Sequence, residues 1–311
     1  MALVGAAAAA PWLWFPLRDV GPLADAAASI LPVGVAAVSL AFAVAAFRRR
    51  PSLAHLGVPR RRPALAVPAV SWAVMGAVAV VGPWLPRPGP RPGPVTLRVV
   101  AANVLHGSHS LRAGLRDVVR EGGDIVALVE AGPRAEGILG GSYPHVLRTR
   151  DSGLVVLSRY PVRRLAGPDA FPERGQRWEI DTPAGRVVLY TVHLLRPQAG
   201  PRLFRHLRAQ RREVDQVMAA ASREGSPVLI AGDFNSSDRS RNYRRLAERY
   251  RDAMRARRAG PTYVRPLYRP ELLRIDHIFV PRTWCARDSQ RFRISGSDHR
   301  GVTARVGPCR R

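Results

Sequence analysis

The chain of 311 residues carries a formal charge of +26 and is long enough for one large domain or two ordinary ones. Its 49 basic residues are all arginine, which is expected both of a GC-rich genome and of a protein attracted to polyanions or anionic lipid head groups, so charge alone selects no substrate. Two cysteines without CxxC spacing argue against a zinc site and against a thioredoxin-like redox pair.

The N-terminal region contains two apolar stretches, residues 29–47 and 64–85, that are each near the roughly 20 residues needed for a transmembrane helix. A pair of buried core helices is the alternative, but length and the absence of charge favour spanning. A shorter apolar stretch, residues 2–17, is either a third span or an interfacial segment, since its aromatic residues suit a membrane interface. We therefore expect residues 1–85 to form a membrane region.

The loop between the two longer stretches, residues 48–62, holds six arginines, whereas three arginines follow the second stretch closely. Positive residues in short loops remain in the cytoplasm. The protein is therefore predicted to be a multi-pass cell-membrane protein with the chain from residue 86 onward on the external side of the membrane. Residues 86–94 read PRPGPRPGP and predict an extended, semi-rigid linker that spaces a following domain from the membrane.

From residue 95 to 311 the pattern is typical of one mixed α/β domain. Amphipathic periodicity predicts helices at Leu111–Arg120 and Leu203–Ala221. Short runs rich in Val, Ile and Leu predict buried strands at Leu97–Ala101, Ile125–Val129, Leu154–Leu157, Val187–Val192, Val228–Ala231, Ile275–Val280 and Gly301–Val306.

Acid, amide and imidazole side chains recur at the ends of these strands. Any one of them is more often a loop or capping residue, but ligand sites form where strands of such sheets end, and eight at corresponding places predict one site. The eight residues are Asn103, Glu130, His193, Asp233, Asn235, Asp276, Asp298 and His299.

This set suits the hydrolysis of a phosphate ester. Asn103, Glu130 and Asp298 are hard oxygen ligands that predict a Mg²⁺ site, with Mn²⁺ as an alternative. Asp233 is predicted to position or deprotonate a water molecule, and Asn235 to donate to a phosphate oxygen. The remaining residues, His193 and His299 with Asp276 as the partner of His299, are predicted to donate or shuttle protons.

The motifs GDFN, TVHL, RIDHIF and SDHR appear in that order, after a strand with Asn and a strand that ends in Glu. In this the chain resembles the endonuclease/exonuclease/phosphatase superfamily, which includes pancreatic-type deoxyribonucleases, abasic-site endonucleases and neutral sphingomyelinases, as a membrane-anchored bacterial member. The resemblance covers about residues 96–307. It implies a four-layer α/β sandwich of two packed mixed sheets flanked by helices, with Asn103 and Glu130 at the metal site. Many relatives carry glutamine before this glutamate, where this chain has Val129.

The function predicted is metal-dependent hydrolysis of phosphodiesters, in nucleic acid or in phospholipid head groups. A phosphomonoesterase and a catalytically silent, membrane-tethered binding module are the alternatives, and the intact set of eight residues argues against the silent module. No protein partner is predicted. A disulfide between Cys285 and Cys309 is expected if residues 95–311 lie outside, where the environment is oxidising.

Overall fold

A computed structural model describes residues 7–18, 34–35, 37–41, 44, 63–87, 89–105, 107–166, 171–198, 200–264 and 271–310. The chain forms two compact units. The smaller unit is Met1–Pro83 with Arg239–Arg241, and the larger unit is Trp84–Asp238 with Asn242–Arg311.

The smaller unit contains a 3₁₀ turn, Ala10–Leu13, the short helix α1, Trp14–Leu17, and the long helix α2, Pro63–Val81. The Ser71 hydroxyl of α2 donates to the carbonyl oxygen of Ala8 at 2.6 Å and accepts from the Trp12 indole at 3.1 Å. These bonds satisfy polar groups of α2 within the unit, which leaves the helix apolar toward its surroundings.

Val67–Trp84 is, among the described residues, the helical stretch long and apolar enough to cross a bilayer, with a mean hydropathy of 1.5 and 28% of its residues buried. The predicted stretch 64–85 therefore corresponds to α2 and the 3₁₀ turn Gly82–Trp84 that follows it. The predicted stretch 29–47 and the loop 48–62 lie largely outside the described residues. Between residues 7 and 17 the helical path changes type at Ala10, so no continuous α-helix covers this stretch.

Two six-stranded sheets form the larger unit. The first sheet has the order β11-β12-β1-β2-β4-β3, and the second has the order β5-β6-β7-β8-β10-β9. The strands of the first sheet are β1 (Leu97–Asn103), β2 (Ile125–Val129), β3 (His145–Arg148), β4 (Val155–Ser158), β11 (Trp284–Arg293) and β12 (Arg300–Pro308). Those of the second are β5 (Val162–Leu165), β6 (Gly175–Thr182), β7 (Gly185–His193), β8 (Val228–Asp233), β9 (Tyr250–Asp252) and β10 (Asp276–Pro281).

Among the described residues, four helices accompany the sheets: α3 (Leu111–Arg120), α4 (Arg134–Leu139), α5 (Leu203–Ala221) and α6 (Arg241–Arg249). Alternate residues of each central strand face opposite sides, so every such strand contributes to two apolar cores. Ala101 and Leu229 lie in the core between the sheets, Val100 packs with Leu115 of α3, and Ile230 packs with Val217 of α5. The predicted four-layer sandwich is confirmed.

The sequence prediction missed five strands: β3, β5, β6, β9 and β11. Buried and half-buried residues alternate along β6, so this strand contains no continuous apolar run. The edge strand β11 is mostly polar and changes register between Arg287 and Gln290. By contrast, both predicted helices have the bounds of α3 and α5.

The strand directions bring the predicted site residues to one edge. β1 is parallel to β2 and β7 is parallel to β8, so Asn103 lies beside Val129 and His193 beside Asp233. β10 runs antiparallel to β8 and therefore begins where β8 ends, with Asp276 opposite Asp233. One edge of the sandwich thus collects the final residues of four strands and the first residue of β10.

Gly232 is required by this arrangement. It precedes Asp233 at a φ of +139°, and a Cβ atom there would lie 2.1 Å from the carbonyl oxygen of Val192. Only glycine allows β8 to approach β7 this closely while it turns toward the site.

The proline-rich linker lies along the larger unit. Pro92 forms a β-bridge with Cys309, Gly93 N donates to Pro308 O at 2.7 Å, and Arg87 N donates to the carbonyl oxygen of Arg255 at 2.9 Å. The backbone groups of these linker residues therefore find partners on the domain, and the spacing of the domain from a membrane stays a prediction.

Cys285 at the start of β11 and Cys309 after β12 form the expected disulfide. It closes a loop with a sequence separation of 24 residues and joins the end of the chain to an edge strand. This covalent link holds the final residues beside the linker.

We expect the double variant Cys285→Ser/Cys309→Ser to lose about 3 kcal/mol of unfolding free energy, because the unfolded chain regains the entropy of this loop. Urea unfolding of the full chain in neutral detergent, followed by tryptophan fluorescence, measures the loss. Wild-type protein treated with reductant should approach the variant. An identical unfolding midpoint of the variant and of untreated wild-type protein would contradict a contribution from the disulfide.

Candidate active site

All eight predicted residues lie at the edge where these strands begin and end. Four of the side chains are buried, namely those of Asn103, Asp233, Asp276 and His299. The other four are partly exposed, namely those of Glu130, His193, Asn235 and Asp298. The site therefore has a buried floor and an accessible rim.

The Asn103 amide joins the two sheets. Its Nδ2 donates to Glu130 Oε1 at 2.9 Å and to Asp233 Oδ2 at 3.1 Å. Its Oδ1 accepts from the backbone nitrogen of Leu105 at 3.1 Å, which fixes the orientation of the amide. Both amide hydrogens thus face carboxylates, and one lone pair of Oδ1 is left for a further ligand.

His299 is held by Asp276. Its Nδ1 lies 2.8 Å from Asp276 Oδ2, and its Nε2 lies 3.7 Å from Asp233 Oδ2. Burial lowers the pKa of the imidazole, but the carboxylates of Asp276 and Asp233 outweigh burial and raise that pKa to about 10. The ring is therefore an imidazolium at neutral pH, and its Nε2 is too far from Asp233 for a hydrogen bond.

His193 lies on the rim between two carboxylates. Its Nε2 is 3.5 Å from Glu130 Oε1 and 3.7 Å from Asp233 Oδ2. Both distances exceed a good hydrogen bond, so this nitrogen is positioned to contact a group that enters between the carboxylates.

Asp233 and Asn235 are locked together by the GDFN turn. Asn235 N donates to Asp233 Oδ1 at 2.8 Å, and Asn235 Nδ2 donates to the carbonyl oxygen of Leu194 at 3.0 Å. Burial raises the pKa of the Asp233 carboxyl, with the His299 charge acting in the opposite direction. A buried carboxylate with a raised pKa is a stronger base than an exposed one.

Backbone strain is concentrated here. Leu105, Glu130 and Asn235 adopt φ values of 51°, 51° and 46°, in a region that residues other than glycine rarely occupy. Such conformations persist where surrounding contacts enforce them, and they are typical of functional sites.

The rim carries two carboxylates, Glu130 and Asp298, whose oxygen atoms are of the type that Mg²⁺ prefers. The side chains of Glu130 and Asp298 are 26% and 23% exposed, which leaves room for the water molecules that Mg²⁺ retains. The side-chain oxygen Oδ1 of Asn103 can supply a third oxygen. Among the described His, Cys, Asp and Glu residues, the group with ligand atoms within 4.8 Å of one another is a different one: Asp233, Asp276 and His299.

Three residues that the sequence analysis missed hold the site in place. Ser297 Oγ donates to the carbonyl oxygen of Asn103 at 2.7 Å and accepts from His299 N at 3.0 Å. Thr262 Oγ1 accepts from Asp276 N at 3.1 Å, and the Tyr263 ring packs edge-on against His299 at 5.2 Å. Ser297 is the first residue of the SDHR motif, which was identified without a role for this serine, whereas Thr262 and Tyr263 have no sequence signal.

A buried ion cluster anchors the strand that carries Asp276. The fully buried Arg274 donates to Asp238 at 2.9 Å and to Asp252 at 2.6 Å. Burial opposes this charge, but Asp252, Tyr243 and Asp238 raise the pKa of Arg274 well above its usual value. Removal of one partner from such a cluster leaves a buried charge uncompensated, so the cluster fixes the start of β10 firmly.

Comparison with known proteins agrees with this geometry. The model of the endonuclease/exonuclease/phosphatase family matches residues 100–299, which include all eight site positions, with His299 as the last residue matched. A search of curated proteins finds no match.

Solved structures share the fold at low identity. An endonuclease/exonuclease/phosphatase from Beutenbergia cavernae is 20% identical over 69% of this chain and 72% of its own, with a TM-score of 0.52. A Staphylococcus aureus beta toxin mutant with bound magnesium ions is 13% identical over 68% and 99%, with a TM-score of 0.51. The 3′ phosphatase NExo from Neisseria, bound to a product DNA hairpin, is 20% identical over 67% and 98%, with a TM-score of 0.50.

We expect Ser297→Ala to lower the free energy of unfolding by roughly 1–3 kcal/mol, because the Asn103 carbonyl and the His299 amide each lose a partner. The matched control is Ser222→Ala, which removes a hydroxyl that bonds to Ala219 O at an exposed helix end. Equal losses in the two variants, measured by urea unfolding, would show that Ser297 does not brace the site.

Proposed function

Since this chain belongs to the endonuclease/exonuclease/phosphatase family, whose members typically hydrolyse phosphate esters with a metal ion, we propose that it is a metal-dependent phosphodiesterase. The substrate class is a phosphodiester in nucleic acid or in a phospholipid head group. The observation that carries the proposal is the convergence of eight acid, amide and imidazole side chains, with Asn103 bonded to both Glu130 and Asp233.

The cofactor proposed is Mg²⁺, or Mn²⁺ in its place, held by Glu130, Asp298 and the side-chain oxygen Oδ1 of Asn103. When bound, it supplies positive charge to the nonbridging oxygens of the phosphate. The bound magnesium ions of the Staphylococcus aureus beta toxin structure support this choice of ion.

The remaining residues divide the chemistry between them. Asp233 orients a water molecule and accepts its proton, since the carboxylate is buried and its pKa is raised. The imidazolium of His299, kept charged by Asp276, donates through Nε2 to a phosphate oxygen. His193 and the amide of Asn235 donate to the phosphate from the rim.

The same geometry disfavours a silent binding module. A module that only binds does not need a buried carboxylate and a buried imidazolium 3.7 Å apart, because their burial is costly unless it serves chemistry. A phosphomonoesterase remains the second candidate. It is supported by the Neisseria 3′ phosphatase, which shares the fold and is bound to a DNA product.

We also propose that the chain is anchored in the cell membrane with the larger unit on the extracytoplasmic side. Along α2, Val67, Val70, Val74 and Val78 are 43–56% exposed and lie on one face, as expected of a helix in contact with lipid. The arginine-rich loop 48–62 supports the direction of insertion. The Cys285–Cys309 disulfide is also expected of an oxidising compartment.

The substrate is tested with the full chain in neutral detergent. We expect magnesium-dependent hydrolysis of at least one phosphodiester from a panel of single- and double-stranded DNA, RNA, sphingomyelin, phosphoinositides and a generic phosphodiester. A 3′-phosphorylated DNA and a simple phosphomonoester complete the panel. Activity that survives chelation would exclude the metal mechanism, and cleavage of phosphomonoesters alone would favour the second candidate.

On the best substrate, Asp233→Asn and His299→Ala should each lower turnover by on the order of 10²-fold or more, as expected for groups that transfer or donate protons. Their matched controls are Asp151→Asn, an exposed carboxylate, and His145→Ala at the start of β3, opposite Ser158 and away from the catalytic edge. Near-normal turnover in either site variant would contradict the role given to that residue.

Orientation is tested with a reporter fused after Arg311 that works only in the cytoplasm. We expect this fusion to be inactive, whereas a fusion after Arg62, within the arginine-rich loop, should be active. The opposite pair of results would reverse the orientation.

A further inference from the structure

A polar cavity lies far from the candidate active site. It has a volume of about 630 Å³ and is lined by the linker, β9, the residues that follow β10 and the start of β11. β10 runs from Asp276 at the active site to Pro281, and Arg282 already lines the cavity. Six residues of strand cover about 20 Å, so the cavity and the active site lie at opposite edges of the second sheet.

The cavity is strongly cationic. Seven of its lining residues are arginines and two are aspartates, an excess of five positive charges. Neither aspartate balances the excess: Asp252 Oδ2 accepts from the buried Arg274 at 2.6 Å and from Tyr243 at 2.7 Å, and Asp288 lies 3.7 Å from Arg287. The positive charge of the cavity is therefore left without an equal number of carboxylates.

Neutral backbone groups hold several of these arginines in place. Arg255 donates through Nε and Nη2 to the carbonyl oxygen of Leu85 at 3.2 and 3.1 Å. Arg282 donates to the carbonyl oxygens of Ala247 and Glu248 at 2.7 and 2.8 Å, and Arg251 donates to Arg282 O at 3.1 Å. The carbonyl oxygens of these contacts are neutral and bring no negative charge into the cavity.

The positive charges of the cavity arginines repel one another. Burial lowers the pKa of Arg255, and the neighbouring Arg87 guanidinium lowers it further. Within the described part of the chain, the side chains of Arg87, Arg91 and Arg257 form no ion pair. An anion that enters the cavity would relieve this repulsion and could be bound by several guanidinium groups at once, which match phosphate oxygens in geometry.

We propose that this cavity binds a phosphate-bearing anion, at a site separate from the catalytic one. The volume exceeds that of a single phosphate, so the occupant is either a soluble polyphosphate or the head group of an anionic phospholipid. The apolar stretch Val67–Trp84 ends three residues before Arg87. Three residues of extended chain cover at most about 11 Å. A lipid head group would be within reach of this arginine if the stretch spans the bilayer.

The test uses the full chain in neutral detergent with chelator present, so that metal-dependent binding at the catalytic site is removed. One arm titrates inorganic pyrophosphate by calorimetry, and the other adds phosphatidylglycerol to the micelles and records the thermal unfolding midpoint. We expect pyrophosphate to bind and Arg87→Gln/Arg257→Gln to weaken binding by on the order of 10²-fold or more, because two charge-assisted contacts to the anion are lost.

The matched control is Arg112→Gln/Arg116→Gln, which removes two exposed arginines from α3 and changes the net charge equally. It should bind as wild type does, and Arg87→Lys/Arg257→Lys should recover part of the affinity. The cavity variant should keep its activity on a soluble generic phosphodiester within about twofold, which shows that it is folded.

The two arms separate the sources of the phosphate. Phosphatidylglycerol that raises the unfolding midpoint of wild type but not of the cavity variant, and competes with pyrophosphate, identifies a lipid head group. Pyrophosphate binding without such competition identifies a soluble anion. Equal responses of the cavity variant and the control variant, or no response of wild-type protein to either anion, would overturn the proposal.

Discussion

The hydrogen bond from Asn103 Nδ2 to Asp233 Oδ2 is the contact on which the site depends, because it joins the last residue of a strand in one sheet to the last residue of a strand in the other. The two carboxylates beside it, Glu130 and Asp233, belong to different sheets and meet only if the apolar core between the sheets sets the correct spacing. The packing of small residues such as Ala101 and Ala231 in that core is thus part of the site's geometry.

The site is also asymmetric between floor and rim. Asp276 and His299 are shielded from water, which strengthens their mutual attraction and keeps the imidazole charged. Glu130 and Asp298 remain accessible to solvent, as the metal binding proposed for them requires. The strand that presents Asp276 is held by two kinds of contact. Arg274, just before the strand, pairs with two buried aspartates, and the Thr262 hydroxyl accepts a hydrogen bond from Asp276 N.

Much of this arrangement was predictable, since buried strands such as β1, β2 and β8 are continuous apolar runs and the site residues stand at their ends. Strands with one polar face, such as β6, and the polar edge strand β11 were not predictable, because their pairing is decided by neighbours distant in sequence. The same holds for Tyr263, whose contact with His299 depends on a turn without a distinctive pattern. The composition of the linker favours an extended backbone, but it does not reveal that Gly93 and Arg87 donate to the carbonyl oxygens of Pro308 and Arg255.

The pairing of β1 with β12 has a consequence for the order of events during synthesis. Leu97 pairs with Val306, about 200 residues later, so the first strand of the domain gains its second neighbour only after almost the whole domain has been synthesised. Contacts of such separation form slowly, since the intervening loop must close first. Asp298 and His299 emerge with this last strand. A domain that lacks β12 would therefore possess most of the apolar core but no complete site, and the edge of β1 would be open to mispairing until β12 has been synthesised.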